Sequence, residues 1–112
     1  MSTTKPWDHG RLEPSDNGRF LQHEDGTPFF WQGDTAWLLF TRLTKEEAIT
    51  FLRNRQEKGF NVIQVMVVHS PASNNVYGRL PFIDDNFTKP DLSIGENGTE
   101  SFWDHVDWVI DQ

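Results

Sequence analysis

The side chains with chemical potential in this chain gather where two apolar runs stop. Asp34 and Trp37 close the stretch from Phe29-Phe30-Trp31 to Gly33-Asp34-Thr35-Ala36-Trp37, and His69-Ser70 follows Val62-Ile63-Gln64-Val65-Met66-Val67-Val68. A carboxylate accepts from hydroxyl groups, and a neutral imidazole both donates and accepts. An indole offers a flat apolar face to a sugar ring. Tyr77 and Arg79 come shortly after, and a guanidinium fork suits a carboxylate such as that of a uronate. Such residue types can bind a ligand by hydrogen bonding and ring stacking. Each residue also has a plainer reading. Asp34 can cap the turn begun by Thr35-Ala36-Trp37, His69 can be satisfied by backbone, and Tyr77 and Arg79 can pack their own loop. Asp84, Asp85 and Asp91 offer hard oxygen ligands, but their spacing fits no calcium loop and a solvated acidic loop is the simpler reading. No zinc, phosphate-loop or nucleophile-elbow pattern occurs, so no metal or cofactor is called for.

The elements that would position these residues are legible. Val62–Val68 is apolar at almost every position, as in a parallel strand covered on both faces; a strand with one wet face would alternate. The helix before it has clear signals. Thr44 and Glu47 form a capping box, Glu46 and Glu47 suit the positive end of the helix dipole, and Gly59 supplies the left-handed stop. Ala48, Phe51 and Leu52 make one apolar stripe, with Ile49 beside it, while Lys45, Arg53 and Lys58 are left to solvent. A right-handed βαβ unit results. In such folds the ligand site lies beyond the carboxyl ends of the strands, where Asp34, Trp37, His69 and Ser70 are expected. Trp31, within the first strand, is expected in the core.

Upstream, Arg19–His23 and Thr27–Phe30 flank Glu24-Asp25-Gly26, a hairpin signal. Pro28 belongs at a strand start or edge. Residues 1–18 are polar and read as a surface segment, with Trp7 pinned to the body. Downstream, Pro71 to Glu100 has no helical or strand period, yet Tyr77, Leu80, Phe82, Ile83 and Phe87 call for an ordered, packed loop. Ser101 then caps a second helix with Phe102, Val106, Val109 and Ile110 on one stripe. His9, His23 and His105 read as surface. That helix reaches the last residues without a stop signal, and two parallel strands cannot cover both faces of Val62–Val68. The expectation is the opening of a larger α/β protein: a surface segment at 1–18, then part of a domain at 19–112.

The 112 residues carry 10 basic and 17 acidic side chains, a net charge of −7, and no basic cluster. That argues against nucleic acid or an anionic membrane as partner. Five Trp and nine Phe are a heavy aromatic load, suited to a sugar cleft, although most are expected in the core. With no cysteine there is neither a disulfide scaffold nor thiolate chemistry. Met-Ser-Thr-Thr-Lys-Pro lacks an apolar leader core. The chain as given reads as cytoplasmic, or as extracellular or periplasmic if a leader has been removed.

Asp25-Gly26-Thr27-Pro28-Phe29-Phe30-Trp31, Gly33-Asp34-Thr35-Ala36-Trp37, Leu43–Ala48 and Lys58-Gly59-Phe60-Asn61-Val62-Ile63-Gln64 resemble the opening of the apiosidase-like glycoside hydrolases, over roughly Gly18 to Ile110. More distantly the chain is similar to the clan of retaining glycosidases on (β/α)8 barrels. The resemblance implies a TIM barrel of which this chain supplies an N-terminal hairpin and the first two βα units. It implies a carbohydrate substrate, a plant or microbial polysaccharide or its side chains, and no cofactor. Two catalytic carboxylates are implied at the ends of strands four and seven, so no catalytic residue is expected within these residues. Asp34, Trp37, His69, Tyr77 and Arg79 become the substrate-contact candidates; Trp37 could equally plug the top of the barrel. The alternatives are a non-catalytic carbohydrate-binding or structural module, and a barrel enzyme of other chemistry.

Overall fold

The computed structural model describes residues 5–112, without the side chain of Pro6. They fall into two compact units, divided between Gln32 and Gly33. In the first, the Asp25-Gly26 turn closes the expected hairpin, with β2 (Leu21–His23) antiparallel to β3 (Pro28–Phe29). Gly26 takes φ +88°, the left-handed conformation that glycine enters at little cost. The segment before the hairpin is more structured than its polarity predicts. A 3₁₀ turn at Pro6–His9 leads to β1 (Leu12–Pro14), which adds a third strand on β2; residues 1–4 lie outside the described part. Backbone pairing fixes this strand although all three of its side chains are exposed. Trp7 is likewise exposed at 68%, with the Lys5 ammonium over its ring.

Two expectations for this unit need correction. His23 is buried, its Nδ1 3.0 Å from the Gly10 carbonyl and its ring edge-on to Phe29. Trp31 is not in a strand core; the hairpin ends at Phe29 and Trp31 is 57% exposed.

At the turn, Asp25 lies 2.7 Å from His9 Nδ1 and accepts the Thr27 amide at 2.9 Å. Hydrogen bonds from the Thr27 hydroxyl and amide, then from His9, pull its carboxyl down to about 2. A carboxylate whose folded value lies below its unfolded one stabilises above the unfolded value and loses that contribution as pH falls through the folded one. The hairpin is therefore expected to loosen between about pH 3.8 and about pH 2. Asp25→Asn should remove this acid step, read from the amide shifts of 23–28.

The second unit begins with β4 (Gly33–Ala36), parallel to β5 (Val62–Val65), with Asp34 opposite Ile63 and Ala36 opposite Val65. Between them lie a short helix, α1 (Leu39–Arg42), and α2 (Lys45–Glu57). The start of α2 is as expected: the Glu47 amide donates to Thr44 Oγ1 at 3.2 Å and the Thr44 amide to Glu47 Oε1 at 2.9 Å. Gly59 follows at φ +88°. Lys45, expected in solvent, instead pairs with Glu100 at 2.5 Å and lies over the Trp108 ring. The apolar run from Val62 is half-buried throughout except at Gln64, which is exposed.

Helix α3 (Phe102–Ile110) is capped by Ser101, which accepts the Asp104 amide at 3.1 Å. Its buried face is Phe102, His105, Val106 and Val109, whereas Ile110 is 66% exposed. The stripe thus includes His105, read as surface from the sequence but 0% exposed. Leu39, Phe40, Ala48, Phe102, Val106 and Val109 form the core, with Ala36, Ile63 and Val65 packed on it. Fully burying a side chain such as Phe102 is worth about 2–3 kcal/mol.

Pro71 to Glu100 is an ordered loop with 3₁₀ turns at Ile83–Asp85 and Glu96–Gly98 and a bridge between Phe82 and Pro90. The anchoring aromatic is Phe82, between Phe87 and Trp103, while Phe87 itself is 68% exposed. The Trp103 indole donates to the Pro81 carbonyl at 2.8 Å. Trp103 and Trp108 are half-buried, and Trp7, Trp31 and Trp37 are exposed, so the tryptophans are less of a core resource than expected.

Candidate functional site

The carboxyl ends of β4 and β5 carry a shallow cavity of about 260 Å³. Leu38, Thr41 and Arg42 line it from the first βα connection, and His69, Ala72, Ser73 and Asn74 from the second. Its position follows from local structure. The Met66 amide donates to the Trp37 carbonyl at 3.4 Å, extending the parallel ladder by one bond. Directly beyond it the Leu38 carbonyl accepts the Thr41 and Arg42 amides and starts α1. On the other strand, Ser70 accepts the Ala72 amide through Oγ and the Ser73 amide through its carbonyl, turning the chain back.

Of the residues expected beyond the strands, His69 lines this cavity and Trp37 does not. His69 is exposed and faces the cavity; Trp37 follows β4 and is 65% exposed. The lining is rich in donors: a permanently charged guanidinium, an imidazole, two hydroxyls and an amide. No carboxylate lines it. It can hold hydroxyl or other oxygen-bearing groups.

Asp34 is elsewhere. It occupies the second position of β4, inside the strand, on the face shared with Ala36, Ile63 and Val65. Its carboxylate accepts from Arg55 Nη1 at 3.1 Å and from the Thr35 amide at 2.9 Å. Arg55, in the last turn of α2, lies against the rings of Phe51 and Phe60 and bonds Asn54. Side chains alternate faces along a strand, so the step from Asp34 to Thr35 separates the helix-bound face from the open one. The expectation that Asp34 lies beyond the strand with Trp37 and His69 is therefore corrected: it ties the sheet to α2.

Tyr77 and Arg79 lie outside this cavity and together line a second one of about 360 Å³, with Gly78, Glu96, Asn97 and Thr99. The Tyr77 hydroxyl accepts the Lys45 amide at 2.9 Å, giving the amino end of α2 an acceptor from across the chain. Arg79 Nη2 donates to the Ser93 carbonyl at 2.9 Å and to its hydroxyl at 3.1 Å, and lies 3.4 Å from Asp91; Nη1 donates to the Thr99 carbonyl at 3.2 Å. A Cβ on Gly95 would collide with that guanidinium. Sequence reasoning missed Arg42, Ser73 and Asn74. The available signal was topological: each flanks the end of a strand, although none belongs to a recognisable motif. Among the described residues, no group of three or more acidic or His side chains is placed to hold a metal, and no helix is long and apolar enough to cross a membrane.

The model of the apiosidase-like catalytic domain matches residues 15–112. The chain belongs to that family. It is also similar to a solved glycoside hydrolase, with 42% identity and a TM-score of 0.83 over 98% of this chain. A glycoside hydrolase family 5 structure from Bacteroides vulgatus ATCC 8482 matches with 38% identity and a TM-score of 0.84 over 99% of this chain. The chain spans 24% of the length of each of these structures. No curated protein matches it.

Proposed function

We propose that these residues open a (β/α)8-barrel glycoside hydrolase acting on a plant or microbial polysaccharide or its side chains, with retention of anomeric configuration. The observation that carries the reading is the donor-lined cavity at the carboxyl ends of β4 and β5 in a chain of the apiosidase-like family. Barrel enzymes place their chemistry on that edge. Trp37 and His69 are the sugar contacts in this reading, one stacking and one hydrogen bonding. Asp34, Tyr77 and Arg79 act behind them by fixing the sheet, α2 and the loop. The resemblance to the retaining barrel glycosidases puts the two catalytic carboxylates at the ends of strands four and seven, outside these residues. The open face of the strand pair, with Thr35 and Gln64 exposed, would turn inward as the barrel closes.

The test is proton NMR of the intact protein digesting polysaccharides, with the anomeric signal of the first product followed before mutarotation. A first product of the same configuration as the substrate is expected. An inverted product would overturn retention, and binding without turnover would overturn the enzyme reading in favour of a carbohydrate-binding module.

A further inference from the structure

His105 lies on the buried face of α3, and neither ring nitrogen has a hydrogen-bond partner among the described residues. Its ring meets Tyr77 edge-on, with centroids 5.3 Å apart. Because the Tyr77 hydroxyl accepts the amide that opens α2, the loop, α2 and α3 converge here. The charged groups facing the ring are Lys45 from α2 and Glu100 from the segment before α3, already paired with each other at 2.5 Å. On α1, which also packs on α3, the charged residue is Arg42, exposed at the helix end.

We propose that His105 is an acid-sensitive latch: neutral, it seats Tyr77 and the loop against α2 and α3, and protonated, it releases them. A neutral imidazole fits an apolar contact with a tyrosine ring. An imidazolium there would bury a charge with two unpaired N–H donors beside the Lys45 ammonium. The anion that acts on the ring, Glu100, is paired with Lys45. The site can take the proton only by breaking that pair or by moving the Tyr77 segment aside to admit water. Burial pushes the imidazole below its ordinary value; Glu100 opposes the shift and Lys45 adds to it. A base whose folded value lies below its unfolded one leaves full stability above the unfolded value, about 6.5 for histidine, and loses it as pH falls below. The same loop begins with Ala72, Ser73 and Asn74 of the cavity, so release would loosen one wall of the site.

Amide hydrogen exchange of the intact protein tests this, between about pH 7.5 and about pH 5.5 and after correction for intrinsic exchange. The reporters are the amides of Lys45, which donates to Tyr77, and of Tyr77 and Arg79, which both donate to Asn75 Oδ1. The Ala48 amide within α2 is the control. Protection of the three reporters should fall by up to about tenfold per pH unit below the transition, while Ala48 holds. In His105→Gln, which has no titrating ring, their protection should not change with pH. A second measurement needs no variant: the His105 ring proton shift should titrate below about pH 6.5, at the acid end of the range over which reporter protection falls. Unchanged protection in acid, the same acid loss in His105→Gln, or a ring that titrates at or above about pH 6.5 would each overturn the latch.

Discussion

Arg79→Ala is expected to destabilise the second unit by about 3 kcal/mol, because the guanidinium holds the two ends of a long loop together. The side chain is 11% exposed. It reaches the Ser93 and Thr99 carbonyls, the Ser93 hydroxyl and Asp91. The Asp91 carboxyl is held below its usual range, first by the Ser93 hydroxyl and amide and then by Arg79. Alanine leaves these acceptors with fewer partners, and a buried acceptor without one costs about 1–3 kcal/mol. Exposure of Asp91 and of the Ser93 contacts keeps the total near the lower multiples of that figure. Arg79→Lys should recover only part of the loss, because a single ammonium cannot span carbonyls that the planar fork reaches together. Urea unfolding of the intact protein measures both, with proteolysis within 76–98 as a local reporter. Unchanged stability in Arg79→Ala would mean that Phe82 and Trp103 alone seat the loop.

What the sequence reveals here depends on how local each cause is. The start of α2 is readable because its capping box is four consecutive residues with one geometric solution. The hairpin turn is readable because Asp25-Gly26 carries its own conformational preference. Helix α1 has no such signal: Leu38 provides no side-chain cap, and four residues are stabilised by burying Leu39 and Phe40 in the tertiary core. His105 is missed because its spacing from Phe102 and Val109 puts it on the apolar stripe, while its polarity argues for solvent. Tertiary packing decides that conflict. Asp34 is misplaced by a similar gap. Sequence locates it near a strand end, but only the pairing with Ile63 and the reach of Arg55 say which face it takes. Trp37 and His69 follow β4 and β5 as the order of elements predicts, because residues beyond a parallel strand stay on its carboxyl side.

That contrast between Asp34 and the pair Trp37 and His69 gives the second prediction and the decisive measurement. It is the melting temperature and kcat/KM of the intact protein on its natural glycan, compared for Trp37→Ala, His69→Ala and Asp34→Ala. Loss of a sugar contact at a desolvated site costs about 1–3 kcal/mol of transition-state stabilisation, or roughly 5- to 150-fold in kcat/KM. Trp37→Ala and His69→Ala should show that loss with melting nearly unchanged, since both side chains are exposed in the fold. Asp34→Ala removes a half-exposed ion pair to Arg55, worth about 1 kcal/mol; it should lower melting and reduce activity only as far as the fold is weakened. The contradictory result is the reverse pattern, with turnover abolished at unchanged melting in Asp34→Ala and near-normal kcat/KM in both other variants.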